Sequence, residues 1–239
     1  MTRASDLERH LADQAGAGER FESFFWHRLR SAFALAVIAR LAPLRPMIVD
    51  VGAGAGIFGR HFQRRFPDGT YGFIEPIPEL AQRLRQRFSP AADWSQHPRW
   101  DADGLVLLDV LEHQPDDVAF LAELRAKMKP GAFLVITCPA LSWLWSDWDE
   151  KLGHYRRYTT ATLRAAATRA GFDVLEARYL FSALVLPGIF RRLRGRGPAE
   201  FPRFSAGVNS ILYQLGRPGL VAGRWIPFGS SVALVCQSR

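Results

Sequence analysis

One stretch concentrates the residues best suited to hold a small ligand: Asp50-Val-Gly52-Ala53-Gly54-Ala-Gly56, an acid followed by glycines at alternate positions. Glycines spaced this way let the backbone turn sharply and approach a ligand with no Cβ in between. Gly54, Gly56 and Gly59 also satisfy the dinucleotide spacing Gly-x-Gly-x-x-Gly, so the pattern alone leaves two ligand classes open. Charge separates them. A dinucleotide brings a pyrophosphate to the start of the following helix, where Asp50 repels it, whereas a cofactor carrying an ammonium or sulfonium is welcome. Glu75, nineteen residues after Gly56, is placed to accept two hydrogen bonds from a ribose diol.

A second group could move a proton. Glu112 and His113 are adjacent, and His154 stands in Gly153-His154-Tyr155-Arg156-Arg157-Tyr158. Each of the three is a candidate base, and a well-placed base is worth about 10²–10⁴-fold in rate. With Trp143 and Trp145 nearby, the arginines and tyrosines of the His154 loop suit an anionic or ring-bearing acceptor, gripped by guanidinium pairs and stacking. An ordered lid packed by its own aromatics fits the same residues. Cys138 and Cys236 lie in separate apolar runs without metal-ligand spacing, so the sequence indicates no metal site and no disulfide framework. Cys138 reads as a small buried hydrophobe.

These residues work together only if the elements between them bring them to one edge. Arg20 to Leu41 has apolar residues near 3.6 spacing and predicts a helix. Met47 to Val51 is a short apolar strand leading into the glycine turn and a helix reaching Phe66. Thr70 to Ile74 is a strand ending at Glu75, and Pro78 to Phe88 a helix. Gly104 to Leu108 is a buried strand ending in Asp109, and Pro115 is expected at the first position of the next helix. Ala132 to Thr137 is a strand; Thr159 or Thr160 caps a helix ending at Gly171; Phe172 to Leu180 and Ser231 to Cys236 are the last strands. Wholly apolar strands alternating with helices predict a doubly wound, three-layer α/β fold with a mainly parallel sheet. Ligands in such folds sit beyond the carboxyl ends of the strands, where Asp50, Glu75, Asp93 and Asp109 to His113 fall.

The segments divide the chain into an N-terminal helical cap (1–45), a core (46–180), an insertion (181–228) and a last strand (229–239). At 239 residues, 48% of them hydrophobic, the chain can bury a full core and is no disordered tail or disulfide scaffold. Its first twenty residues lack an apolar run, which predicts a cytoplasmic protein. Most of the net charge of +8 comes from one segment: Arg178 to Arg224 holds eight arginines and one acid. Within it, an apolar run from Tyr179 to Phe190 abuts Arg191, Arg192, Arg194 and Arg196, a pattern suited to an anionic membrane surface or a greasy, negatively charged acceptor. An ordinary helical cap with a solvated basic edge is the competing reading.

Taken in order, Asp50 to Gly56, Glu75, Asp109-Val-Leu-Glu-His113 and Met128-Lys-Pro-Gly131 resemble the class I S-adenosylmethionine-dependent methyltransferases over roughly residues 20 to 180. Phe25-Trp26-His27-Arg28-Leu29-Arg30 and the His154 loop are similar to a bacterial branch with type 11 or type 12 methyltransferase domains. The resemblance implies a seven-stranded sheet and S-adenosyl-L-methionine as cofactor. It implies that Asp50, Gly52, Ala53, Gly54 and Gly56 hold the methionine end, with Trp26 and Arg30 joining them from the cap. Glu75 would take the ribose, Pro76 and Ile77 the adenine face, and Asp109, Val110 and Leu111 the floor. The chain departs from the pattern where the third strand must be squeezed into Ala91 to Trp100, leaving Asp93 or Trp94 as a weak contact for the adenine amine. No cysteine or amine-type motif of base-modifying nucleic-acid enzymes follows Asp109. The expected activity is methyl transfer to a small-molecule or lipid-linked, anionic acceptor. The alternatives are an NAD-type oxidoreductase and a nucleic-acid or anionic-membrane binding module using the basic segment.

Overall fold

The computed structural model describes residues 22–185, 189, 204–222 and 225–239. The arginine run 191–196 therefore lies outside the described residues, as does the start of the N-terminal cap. The elements are α1 (Phe25–Leu41), β1 (Met47–Val51), α2 (Ile57–Arg65), β2 (Thr70–Ile74), α3 (Pro78–Phe88), β3 (Gly104–Leu108), α4 (Asp117–Lys127), β4 (Phe133–Pro139), α5 (Asp147–Lys151), α6 (Thr160–Arg169), β5 (Phe172–Leu180), α7 (Ala206–Ala222) and β6 (Ser231–Ser238).

The strands form one sheet in the order β2-β1-β3-β4-β6-β5. β1 pairs in parallel with both β2 and β3, and β3 with β4, while β6 runs antiparallel between β4 and β5. Chain order reverses at β1, so the turn leaving its carboxyl end opens at the topological switch point. Val49, Leu105, Leu107, Leu134 and Ile136 face one core cluster together with α4 and α6, and Ile48, Val106, Val135 and Val235 face a second with α1. Both faces are thus covered, and the strands read as unbroken apolar runs for that reason.

The sheet has six strands where the resemblance implied seven. The missing edge is reduced to a single bridge between Phe73 and Asp93. The Asp93 carboxylate accepts from the Ser95 amide and pairs with Arg85, which turns the chain after one ladder step. The Trp94 indole lies over Gly72, 2.8 Å from where a Cβ there would stand. One boundary also differs from expectation. Pro115 stands outside α4, whose N-cap is Asp116, accepting from the Ala119 amide at 2.9 Å. α1 runs from Phe25 to Leu41, and the expected start at Arg20 lies outside the described residues. Thr159 caps α6 through a reciprocal pair with Thr162.

The described part of the insertion packs on the cap. α7 lies against α1, with the Arg28 guanidinium 3.7 Å from the Tyr213 ring centre. α1 has no side-chain cap of its own; the buried Asn209 of α7 accepts from the Phe25 amide at 3.2 Å.

Candidate functional site

Gly52, Gly54 and Gly56 all have left-handed φ values, +74°, +55° and +69°, which side chains rarely adopt. At Gly52 a Cβ would stand 2.6 Å from Val110. The turn is fastened to the end of β2. The Gly52 and Ala53 amides donate to the Ile74 carbonyl at 2.8 and 3.2 Å. One Glu75 oxygen accepts from the Gly54 amide at 2.7 Å and the other from the Ile77 amide at 2.9 Å. A carboxylate has lone pairs beyond those two bonds, so Glu75 both fixes the turn and retains capacity for a diol.

Asp50 is buried and accepts from the Tyr71 hydroxyl at 2.9 Å. Burial pushes its carboxyl up to about 7, against the pull of the Tyr71 hydrogen bond and with the help of nearby Glu75. Glu75 is also raised, burial outweighing its two backbone donors. Two acids that resist ionisation beside a glycine turn favour a ligand that brings its own positive charge.

The cap reaches this edge of the sheet through Arg30. Its guanidinium pairs with Asp109, just beyond β3, and a second nitrogen lies 2.6 Å from His27 Nδ1. Asp109 has φ +60° and also accepts from the Thr137 hydroxyl at 3.0 Å. With its amide also donating to the Thr137 carbonyl at 2.9 Å, this non-glycine residue is held by three contacts in a strained position of the kind found at functional sites.

The third group follows Asp109. Glu112 is fully buried, and neither carboxylate oxygen has a hydrogen-bond partner of good geometry; the Cys138 thiol is the weak polar neighbour beside it. Burial, and then the Asp109 charge, hold it well above the usual carboxylate range. The His113 and His154 rings meet edge to face with centres 4.8 Å apart. Burial, and then His154, bring His113 down to about 4. His154 Nδ1 lies 2.9 Å from a carboxylate oxygen of Asp149, which also receives both Arg157 donors at 2.7 and 2.8 Å. Those contacts hold Asp149 down at about 2 even though it is buried.

The fold thus gathers Asp50, the glycines, Glu75, Arg30, Asp109, Glu112, His113 and His154 at the carboxyl ends of β1 to β4. Val110 covers Gly52, Leu111 is buried beneath, Trp26 packs on Phe181 at 4.7 Å, and Ile77 is half-buried beside an exposed Pro76. Asp93 lies on the reduced edge with its charge committed to Arg85. The His154 loop divides. Arg157 braces Asp149, Arg156 pairs with Asp117, and Tyr158 is buried with its hydroxyl donating to Asp117 at 2.8 Å. Tyr155 and Trp143 are exposed and Trp145 half-buried. Arg156 and Arg157, expected to grip an acceptor, each have an internal acid within reach, and those pairs order the loop. Burial pushes the Cys138 thiol up, in keeping with a packing role.

Sequence reasoning missed Tyr71 and Asp149. Asp149 stands five residues before His154, and the acid-rich run Asp147 to Glu150 was the available signal.

The family described as methyltransferase domain matches residues 25–177. Among curated proteins, the chain is 29% identical to O-methyltransferase hasC of Aspergillus fumigatus, over 49% of this chain and 30% of that one. It is 26% identical to the ubiquinone biosynthesis O-methyltransferase of Xanthomonas axonopodis, over 46% and 50%. The chain spans between 30% and 50% of the length of the curated relatives it matches. Among solved structures, a methyltransferase in complex with the Haloferax volcanii Trm112 activator superposes with a TM-score of 0.61 at 18% identity, over 100% of this chain and 97% of that one. Phosphoethanolamine N-methyltransferase 2 of Haemonchus contortus, solved with S-adenosyl-L-methionine, gives 0.54 at 15% identity over 85% and 51%. The chain belongs to the methyltransferase-domain family, and its glycine turn with buried acids at the ends of β1 and β2 fits S-adenosyl-L-methionine as cofactor.

Proposed function

We propose that the protein transfers a methyl group from S-adenosyl-L-methionine to a small-molecule or lipid-linked acceptor. The observation that carries this reading is the pairing of buried Asp50 and Glu75 around a turn that only glycine accommodates. When bound, the cofactor supplies a methyl already activated on a sulfonium. Asp50 and the Gly52 to Gly56 turn would hold its methionine end, Glu75 its ribose, Ile77 and Pro76 its adenine, and Asp109 with Val110 and Leu111 the floor. Arg30 keeps Asp109 aimed by pairing with it.

Alignment is the protein's main contribution, worth up to about 7–11 kcal/mol when the acceptor atom is held in line. Glu112, His113 and His154 face the acceptor side and prepare it to lose a proton. The exposed Tyr155 and Trp143, with Trp145, offer aromatic surface for the acceptor's body. An anionic acceptor is supported by the basic 178–224 segment. That segment also supports peripheral contact with an anionic membrane from the cytoplasmic side. Among the described residues no helix is long and apolar enough to cross a membrane.

The test is transfer of labelled methyl from the cofactor into a lysate separated into aqueous and lipid fractions. Label in a small molecule or lipid supports the reading. Label confined to nucleic acid or protein, or none in any fraction, contradicts it.

A further inference from the structure

We infer that Glu112, His113 and His154 form a binding site for a divalent transition-metal ion, zinc foremost, next to the methyl-donor site. The sequence alone indicates no metal, because its cysteines lack ligand spacing and these three residues fall in two separate segments. The fold brings them together: one ligand atom from each lies within 4.8 Å of the others.

Glu112 and His113 carry polar atoms that the protein leaves largely unsatisfied. Glu112 is 0% exposed, its oxygens have only the Cys138 thiol as a weak polar neighbour, and the buried His113 Nδ1 has no hydrogen-bond partner. A buried carboxyl without partners is costly in either protonation state, and adjacent orphaned acceptors require an explanation. A cation satisfies them at once. Protonating Glu112 satisfies none of the His113 demand.

The surrounding residues hold the ligands in place. Asp149 accepts from the His154 Nδ1–H, which leaves Nε2 as the donor atom for a metal. An acid holding the far nitrogen of a ligating histidine is the usual outer contact of such sites. Asp149 is itself fixed by Arg157 and the Ser146 amide. The Tyr155 amide donates to the Glu112 carbonyl at 2.8 Å, tying the two ligand-bearing segments together.

Zinc takes imidazole nitrogen and carboxylate oxygen at about 2.0–2.2 Å, so each donor needs to close in by under about 1 Å. Two imidazoles and one carboxylate suit zinc and its neighbours over magnesium or calcium. Three protein ligands leave a coordination position open, as in catalytic rather than structural zinc sites. His113 is half-buried, which provides the entry path.

The inference deepens the preceding section, resting on its reading of these residues as the acceptor-facing group: an acceptor oxygen would take the open position, which favours hydroxyl-bearing acceptors. Zinc titration into the chelator-treated full-length protein, followed by calorimetry, tests it, with the visible absorption of the cobalt-substituted protein as a second readout. One ion should bind per chain. Glu112→Gln and His154→Gln should each reduce binding to background, and Asp149→Asn should weaken it about 10–100-fold. S-adenosylhomocysteine affinity, measured on the same variants, should stay near that of the parent and show that each is folded. Absence of saturable zinc and cobalt binding, or equal binding by a folded Glu112→Gln protein, overturns the metal site and leaves the methyl-donor assignment standing. Loss of S-adenosylhomocysteine binding by the parent overturns the donor assignment, while zinc binding still decides the metal site.

Discussion

Asp50 is an acid kept where its ionisation is costly. Its carboxyl is raised to about 7, so between its unfolded value near 4 and 7 the folded chain keeps a proton that the unfolded chain has lost. This contribution favours the fold at low pH and fades as pH rises through 7. Asp50→Asn should therefore raise the melting temperature of the ligand-free protein more at pH 8 than at pH 5.5 while weakening cofactor binding; a pH-independent difference would show that Asp50 is already ionised. Glu75→Ala should weaken S-adenosylhomocysteine binding by about 1.5–3 kcal/mol, the usual worth of hydrogen bonds to a charged group. If turnover falls while cofactor affinity holds, Glu75 serves the acceptor instead. Both acids were legible in the sequence because they are local to strand ends and glycines. Tyr71 and Asp149 were not, since one acts across two strands and the other depends on how a loop folds back. The acid partners of Arg156 and Arg157 were hidden for a related reason: a guanidinium in a loop shows in sequence as a free cation, and only the fold reveals the acid beside it.

Elements show the same division. Strand and helix positions followed from period and punctuation, since buried parallel strands are apolar throughout and Gly131 and Gly171 take the positive φ that ends a turn or helix. The squeeze on the third strand was legible in the short span from Ala91 to Trp100, but its reduction to a single Phe73–Asp93 bridge was not, because the Asx-type bond at Asp93 is local geometry that composition does not show. Nor was the pairing of α7 with α1, a contact between residues 184 apart in the chain. That contact is testable. Asn209→Ala leaves the Phe25 amide unpaired and should cost about 1–2 kcal/mol in denaturant unfolding. An unchanged midpoint would show that α1 starts without help from the insertion. Gly216→Leu should be worse tolerated, because a Cβ at Gly216 would stand 2.4 Å from Leu29, a buried side chain of α1.

Over the whole molecule the charge is lopsided, with a balance of +7 between residues 178 and 224 out of a net +8. α7 lies in that segment and turns an apolar stripe outward: Val208 is 42% exposed, Ile211 61% and Leu215 72%. Co-sedimentation with anionic vesicles should therefore fall steeply as salt rises, and Ile211→Asp with Leu215→Asp should lower it further. Salt-independent binding, or none at low salt, would remove the membrane from the account. The proposed methyl-donor site centres on the turn after β1. Gly54 has φ +55°, and a β-branched side chain there is strained whatever surrounds it. The most direct measurement is calorimetric titration of S-adenosylhomocysteine into the parent and into Gly54→Val, each first shown to be folded by its circular dichroism. The account predicts one bound molecule per parent chain and no measurable binding by the variant; equal affinity in both would contradict it.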